Sequence, residues 1–213
     1  ILNFDYEQNF KDQDFYVSKS NEFSFKLLNN WPKWEKNFIN LIGENFSGKS
    51  HLINIFLKKF KGIKTSSDKI TNDFLKEIKI YENVIVEDLI ENIDENLLFT
   101  LINTIEQDNK YLIITSTKSI VDFKFTLPDL NSRAKNFLLS EIEKPEDDLM
   151  YALILKNLSD RQISIDKKLI DFIINRITRS YGKISDFIYK IDEISLKRKK
   201  PIDFKIIKEA LGE

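Results

Sequence analysis

The sequence has no cysteine among its 213 residues, which excludes disulfide bonds and thiolate chemistry. It also lacks any apolar run approaching the roughly 18 residues of a membrane-spanning helix, and its first segment does not have the pattern of a signal peptide. We therefore expect a cytoplasmic protein without membrane contact. A charge excess is missing too, because 33 basic and 34 acidic residues give a formal net charge of −1. This balance argues against extensive binding to nucleic acid.

The sequence does contain a phosphate-loop (Walker A) pattern. The segment Gly43-Glu-Asn-Phe-Ser-Gly48-Lys49-Ser50 matches G-x-x-x-x-G-K-[ST] at every specified position, between an apolar run and an amphipathic helix. In such a loop the backbone N–H groups and the helix N-terminus attract phosphate, the lysine contacts the outer phosphates and the serine hydroxyl binds Mg²⁺. The expected nucleotide-binding residues here are Gly43, Asn45, Phe46, Ser47, Gly48, Lys49, Ser50 and His51. The pattern predicts that the chain binds a nucleoside di- or triphosphate.

Two carboxylates follow a second apolar run. The run at 83–86 leads directly into Glu87 and Asp88. In a phosphate-loop protein, the carboxyl end of such a strand is where a Mg²⁺ ligand and a water-orienting base are needed. We expect Glu87 to bind Mg²⁺ and Asp88 to be catalytic.

Strands and helices alternate in the first two thirds of the chain. Apolar strands are expected at 38–42, 62–66, 83–86, 111–114 and 136–139, with helices at 68–80 and 91–107 between them. This order predicts an α/β fold with a parallel sheet flanked by helices. From residue 144 only helices are expected, at 145–158, 166–177, 180–196 and from Pro201. We therefore predict a nucleotide-binding base domain with an N-terminal arm at 1–143 and a small helical lid at 144–213.

Several motifs resemble the DnaA branch of the AAA+ ATPases. The phosphate loop continues into Gly48-Lys-Ser-His-Leu52, Val-Glu87-Asp88 is similar to the acidic Walker B motif, and Phe15-Tyr-Val-x-x-Ser-Asn21 resembles the N-terminal box that lies along the adenine. Trp31-Pro-Lys-Trp34 and Leu127-Pro-Asp-Leu-x-Ser-Arg133 are similar to segments of the Hda (HdaA) type of DnaA-related regulators. The resemblance implies an AAA+ base with a lid, ADP or ATP with Mg²⁺ as cofactors, adenine contacts from Phe15, Val17 and Asn21, and an arginine finger at Arg133.

The resemblance also implies a function. Regulators of this type bind a nucleotide, usually ADP, dock on the DNA-loaded sliding clamp and insert their arginine finger into the ATP site of DnaA, which then hydrolyses its ATP. The family's clamp-binding peptide would end at Ile1, Leu2 and Phe4 of this chain. The chain stops where DnaA continues into a DNA-binding domain, so we expect no such domain in it. Homo-oligomerisation stays open.

The sequence departs from this family pattern at three positions, one of which is Glu87, where the family has aspartate as the first acid of the Walker B motif. The residue that senses the γ-phosphate corresponds to Thr117, and the lid arginine corresponds to Gly182, with Arg179 and Lys183 as the nearest cations that can replace it. These departures predict weak or absent ATP hydrolysis by the chain itself. Two alternatives remain open, a helicase-loader-like AAA+ adaptor and a small phosphate-loop kinase.

Overall fold

Five parallel strands form one sheet at the centre of the fold, in the order β2-β3-β4-β1-β5. The strands are β1 (Phe38–Ile42), β2 (Gly62–Ser66), β3 (Asn83–Glu87), β4 (Tyr111–Ser116) and β5 (Leu138–Glu141). This computed structural model describes residues 15–213. The predicted clamp-binding residues Ile1, Leu2 and Phe4 lie outside the described residues.

Helices cover both faces of the sheet and continue into a helical region. They are α1 (Glu22–Asn29), α2 (Lys49–Lys59), α3 (Asn72–Glu77), α4 (Glu95–Gln107), α5 (Pro128–Ala134), α6 (Asp147–Asp160), α7 (Lys167–Ile174), α8 (Tyr181–Arg198) and α9 (Phe204–Leu211). The α/β class with a parallel sheet is confirmed.

The apolar residues form three clusters. One cluster packs α3, α4 and α5 against one face of the sheet, with Leu98, Leu101 and Ile102 fully buried. A second covers the other face, where α1 and α2 pack on β1. The third lies within α6–α9. Tyr181 of α8 belongs to the second cluster rather than the third, so its ring ties the helical region to the sheet.

Several helix boundaries differ from the sequence predictions because polar caps set them. Asp94 accepts hydrogen bonds from the N–H groups of Asn96 and Leu97, so α4 begins four residues later than expected. Asp203 caps α9 in the same way, and Pro201 therefore precedes the last helix instead of starting it. The helix predicted at 68–80 is interrupted, because Thr71 caps a new helix at Asn72. β5 begins two residues later than expected, after α5 and its closing turn.

Helix α1 packs on the sheet partly through a polar contact. Phe23 is 59% exposed, whereas Ser24 is fully buried and its hydroxyl bonds to that of Ser140 on β5 at 2.8 Å. Asn21 occupies the N-cap position, but its side chain makes no capping bond to the helix. Of the helices in residues 15–213, none is long and apolar enough to cross a membrane.

Candidate functional site: the phosphate loop and its surroundings

The phosphate loop joins the carboxyl end of β1 to the first turn of α2. Gly43 donates its N–H to the Ser116 carbonyl on β4 (3.1 Å), which fixes the start of the loop at the edge of the sheet. A Cβ at Gly43 would lie 2.5 Å from Ser47 Oγ, so a side chain there would displace the Ser47 hydroxyl. Gly48 has a φ of 94°, in the left-handed region that favours glycine. The backbone of the loop therefore favours glycine at Gly48, and the close packing of Ser47 favours it at Gly43.

Lys49 is the buried cation of this loop. Its side-chain ammonium donates to the carbonyls of Gly43 (2.7 Å) and Glu44 (3.0 Å), and the residue is only 6% exposed. Burial lowers the pKa of Lys49 from its ordinary value, and the nearby carboxylates of Asp88, Glu44 and Glu87 act against that shift. The ammonium is thus held by neutral carbonyls that phosphate oxygens can replace. Ser47 Oγ is buried and has no hydrogen-bond partner among the described residues, which leaves a polar group for a bound molecule.

The predicted acidic pair lies at the carboxyl end of β3. Glu87 pairs through Oε2 with Lys64 of β2 (3.1 Å), and its Oε1 is buried with no hydrogen-bond partner in the part of the chain described. Asp88 has a φ of 54°, which turns the chain sharply as the strand ends. Its N–H donates to Thr115 Oγ1 on β4 (2.9 Å). Thr115 therefore positions Asp88, a role that the sequence interpretation missed.

The residues predicted to bind Mg²⁺ fit that ion. Mg²⁺ is held by a few protein oxygens together with phosphates and waters, so a full protein cage is not required. Glu87 offers an unpaired buried carboxylate oxygen, and Ser50 stands half-buried in the first turn of α2. Bound there with a nucleotide, Mg²⁺ would neutralise phosphate charge. Residues 15–213 contain no cluster of three or more histidine or acidic residues that would form a metal site without a nucleotide.

A cavity of about 410 Å³ opens beside the loop, between the ends of β3 and β4. Thr117, the predicted γ-phosphate sensor, is exposed and lines this cavity together with Asp88 and Asn45. Lys118 also lines the cavity. Its ammonium pairs with Glu91 at 2.6 Å and lies over the Phe123 ring. The cavity is therefore lined by the predicted catalytic carboxylate of Asp88 and by further side chains of both charges, Glu91 and Lys118.

The aromatic segment predicted to contact adenine lies against the phosphate loop. The Phe15 ring packs edge-to-face on His51 of α2, with ring centroids 5.3 Å apart, and a Cβ at Gly48 would lie 3.3 Å from it. Asn21 folds this segment by accepting from the Ser18 N–H (2.9 Å) and donating to the Tyr16 carbonyl. Val17 is 39% exposed. Phe15 is thus next to the loop, whereas Asn21 contacts the segment's own backbone. Phe46, in the loop itself, is 62% exposed.

The start of α8 reaches the phosphate loop through its backbone. Glu44 Oε1 accepts hydrogen bonds from the N–H groups of Tyr181 and Gly182, the latter at 3.2 Å. Arg179, one of the two cations expected to replace the lid arginine, is paired with Asp147 at 2.8 Å. Lys183, the other, is exposed. The sequence interpretation missed the contact of Glu44, because no local pattern connects residues this far apart in the chain.

Arg133 lies away from this edge of the sheet. It is in the last turn of α5 and forms an ion pair with Glu106 in the last turn of α4. The chain then enters β5 at Leu138, which is in register with Ile39 near the start of β1. Arg133 is thus on the side of the amino ends of the strands, opposite to the phosphate loop.

Comparisons with known proteins agree with this architecture. No known protein-family model matches the chain. Domain III of the Thermotoga maritima replication initiation protein DnaA superposes with a TM-score of 0.74 at 16% identity, over 96% of both chains. The chain has the AAA+ fold of that domain. AMPPCP-bound DnaA from Aquifex aeolicus gives 0.70 at 20% identity, over 92% of this chain and 70% of that one. A variant of Thermotoga maritima RuvB gives 0.72 at 13% identity, over 94% and 70%.

Proposed function

We propose that this chain is a nucleotide-binding AAA+ regulator of replication initiation, which stimulates ATP hydrolysis by DnaA while docked on the sliding clamp. In this proposal the phosphate loop holds ADP or ATP with Mg²⁺, the segment 15–21 lies along the adenine, and Arg133 acts on the nucleotide of DnaA. The Hda-like segments at Trp31–Trp34 and Leu127–Arg133 and the DnaA-like AAA+ fold support it.

The position of Arg133 is the observation on which this proposal chiefly depends. The guanidinium lies near the amino ends of the strands, whereas the chain's own phosphate loop lies at their carboxyl ends. Arg133 therefore cannot serve the nucleotide bound in that loop. It is 30% exposed, and its partner Glu106 is 45% exposed, so another protein can reach the pair. A cation that approaches phosphates in the transition state stabilises the charge that develops there. A partly exposed arginine in this place therefore suits catalysis in a partner's site.

The nucleotide in this chain would then have a structural role. Lys49 already rests on carbonyls that phosphate can replace, so binding needs little rearrangement of the loop. The exposed Thr117 and the ion-paired Arg179 provide little additional stabilisation for a γ-phosphate. We expect ADP to bind at least as tightly as ATP and turnover by the chain alone to be very slow. Clamp docking through Ile1, Leu2 and Phe4 is proposed from the resemblance of that segment.

The test is a reconstituted assay of ATP hydrolysis by DnaA from the same organism, with DNA-loaded clamp. The wild-type chain should stimulate hydrolysis, and Arg133→Ala should lose roughly 10³-fold of that stimulation while retaining ADP affinity and clamp binding. Lys135→Ala removes a neighbouring exposed cation and should behave as wild type. Equal stimulation by wild type and Arg133→Ala would favour the helicase-loader-like adaptor. If the wild type fails to stimulate, the regulatory function is wrong.

A small phosphate-loop kinase is a second candidate, because the cavity beside Asp88 is large enough for a small phosphoryl acceptor. In that case ATP would be consumed without DnaA when the acceptor is supplied. Asp88→Asn would then abolish turnover, whereas Asp122→Asn, outside the cavity lining, would not. Screening ADP release with a set of small hydroxyl-bearing metabolites tests this candidate, and release independent of added acceptors argues against it.

A further inference from the structure

A single side chain connects the phosphate loop to the helical region. Glu44 is the second residue of the loop, and its Oε1 accepts the first two N–H groups of the 18-residue helix α8, from Tyr181 and Gly182. These N–H groups carry the positive end of the helix dipole. In this chain, the positive end of α8 is therefore already bound to an anion that belongs to the loop.

The contact is held from both sides. The Tyr181 ring is buried in the cluster between the sheet and α2, and its hydroxyl donates to the Glu143 carbonyl at 3.0 Å. The Glu44 carbonyl accepts from Lys49 at 3.0 Å, so the backbone of Glu44 is also fixed. Both residues that form this contact, Tyr181 and Glu44, are thus held in place by other interactions.

Several carboxylates surround the cation of the loop. The Lys49 ammonium has three carboxylates nearby, those of Asp88, Glu44 and Glu87. Glu87 is partly neutralised by Lys64. The Glu44 carboxylate is bound by the two uncharged N–H groups of α8. Its negative charge therefore acts against each phosphate that enters the loop, and most against the ligand with the most charge.

We propose that Glu44 is a specificity-determining residue that favours a nucleoside diphosphate over a triphosphate. The N–H groups of Tyr181 and Gly182 hold the carboxylate beside the loop, and its charge has the same sign as the phosphates that enter there. The inference depends on the proposed nucleotide binding and goes beyond it by assigning the preference to one residue outside the specified positions of the motif.

Two variants separate the charge from the contact. Glu44→Gln keeps an Oε1 acceptor for both N–H groups but removes the negative charge. Glu44→Ala removes both. Glu35→Gln makes the same chemical change on an exposed residue just before β1, at the opposite side of the sheet, and serves as the control.

The experiment measures calorimetric affinities for Mg·ADP and Mg·ATP in the wild type and the three variants, together with hydrogen exchange at the Tyr181 and Gly182 amides. The wild type and Glu35→Gln should bind ADP at least as tightly as ATP. In Glu44→Gln the affinity for ATP relative to ADP should rise about fivefold or more, because one like charge has been removed. The two amides should remain protected in Glu44→Gln and exchange faster in Glu44→Ala.

Each outcome has a distinct meaning. An unchanged ATP-to-ADP ratio in Glu44→Gln, with the wild type binding nucleotide, overturns the inference and leaves nucleotide binding intact. A ratio that rises only in Glu44→Ala also overturns it, because the contact rather than the charge would then set the preference. If the wild type binds neither nucleotide, the proposed function fails, and the inference fails with it.

Discussion

The two ends of the sheet are built in different ways. At the carboxyl ends of the strands, the buried Lys49 lies among several carboxylates, and charge dominates. At the amino ends, Trp31 and Trp34 pack with Phe56, Phe60 and Tyr111, and apolar contact dominates. The first arrangement destabilises the fold because it buries charge, whereas the second stabilises the fold because it buries apolar surface. The difference indicates that the carboxyl end is kept for binding and the amino end for stability.

Trp34→Ala tests the amino end and should have the largest effect on stability. The Trp34 ring stacks near Phe56 at 5.8 Å and meets the edge of Tyr111 at 5.5 Å, and its Nε1 donates to the Leu27 carbonyl at 2.7 Å. Truncation leaves a cavity and removes the hydrogen bond to the Leu27 carbonyl, so the free energy of unfolding in urea should fall by about 3–5 kcal/mol. Nucleotide affinity, measured below the unfolding range, should stay the same.

Trp34→Phe is the matched control for this substitution. It keeps a ring between Phe56 and Tyr111 but loses the hydrogen bond to Leu27, so the loss should be closer to about 1 kcal/mol. A fall in nucleotide affinity with Trp34→Ala would show that the two ends of the sheet are coupled, against the division drawn above.

Lys49→Ala tests the carboxyl end and should have the opposite profile. It removes the cation that phosphate would contact, so affinity for a fluorescent ADP analogue should fall by about 100-fold, or ~2.7 kcal/mol. The fold should persist, because removing a cation whose charge is disfavoured by burial costs little folding free energy. Lys59→Ala, at the exposed end of the same helix, should bind as wild type. Unchanged affinity in Lys49→Ala would contradict the phosphate-loop assignment.

The sequence predicted those features that depend on neighbouring residues. The loop from Gly43 to Ser50 was recognisable because its shape and its chemistry are both written in consecutive positions. The strands β1 and β3 were recognisable because buried parallel strands are continuous apolar runs. Helix starts were less predictable, since caps such as Asp94 and Asp203 act through a single side chain that resembles any other surface acid.

Contacts between distant segments could not be predicted from local pattern. Glu44 is one of four unspecified positions in the motif, and its partners in α8 are 137 and 138 residues away. The role of Thr115 was missed, because the predicted strand ends at residue 114 and the pairing of β3 with β4 that brings Thr115 to Asp88 exists only in the folded sheet. Only the tertiary structure identifies the partners of these two residues.

The smallest expected effect concerns the ion pair at the amino end, between Arg133 and Glu106. Both side chains are partly exposed, so the pair contributes under about 1 kcal/mol to folding, and Glu106→Ala should leave the free energy of unfolding nearly unchanged. Its effect on function should differ from that of Arg133→Ala. If Arg133 acts on the ATP bound by DnaA, its guanidinium must leave Glu106 in order to contact the phosphates. The ion pair with Glu106 then competes with catalysis, and the Glu106→Ala substitution removes that competition. Glu106→Ala should therefore stimulate hydrolysis as well as wild type or better, with Gln107→Ala as the neighbouring control. A loss as large as that of Arg133→Ala would mean instead that Glu106 positions the arginine, and the ion pair would then belong to the site rather than to the scaffold.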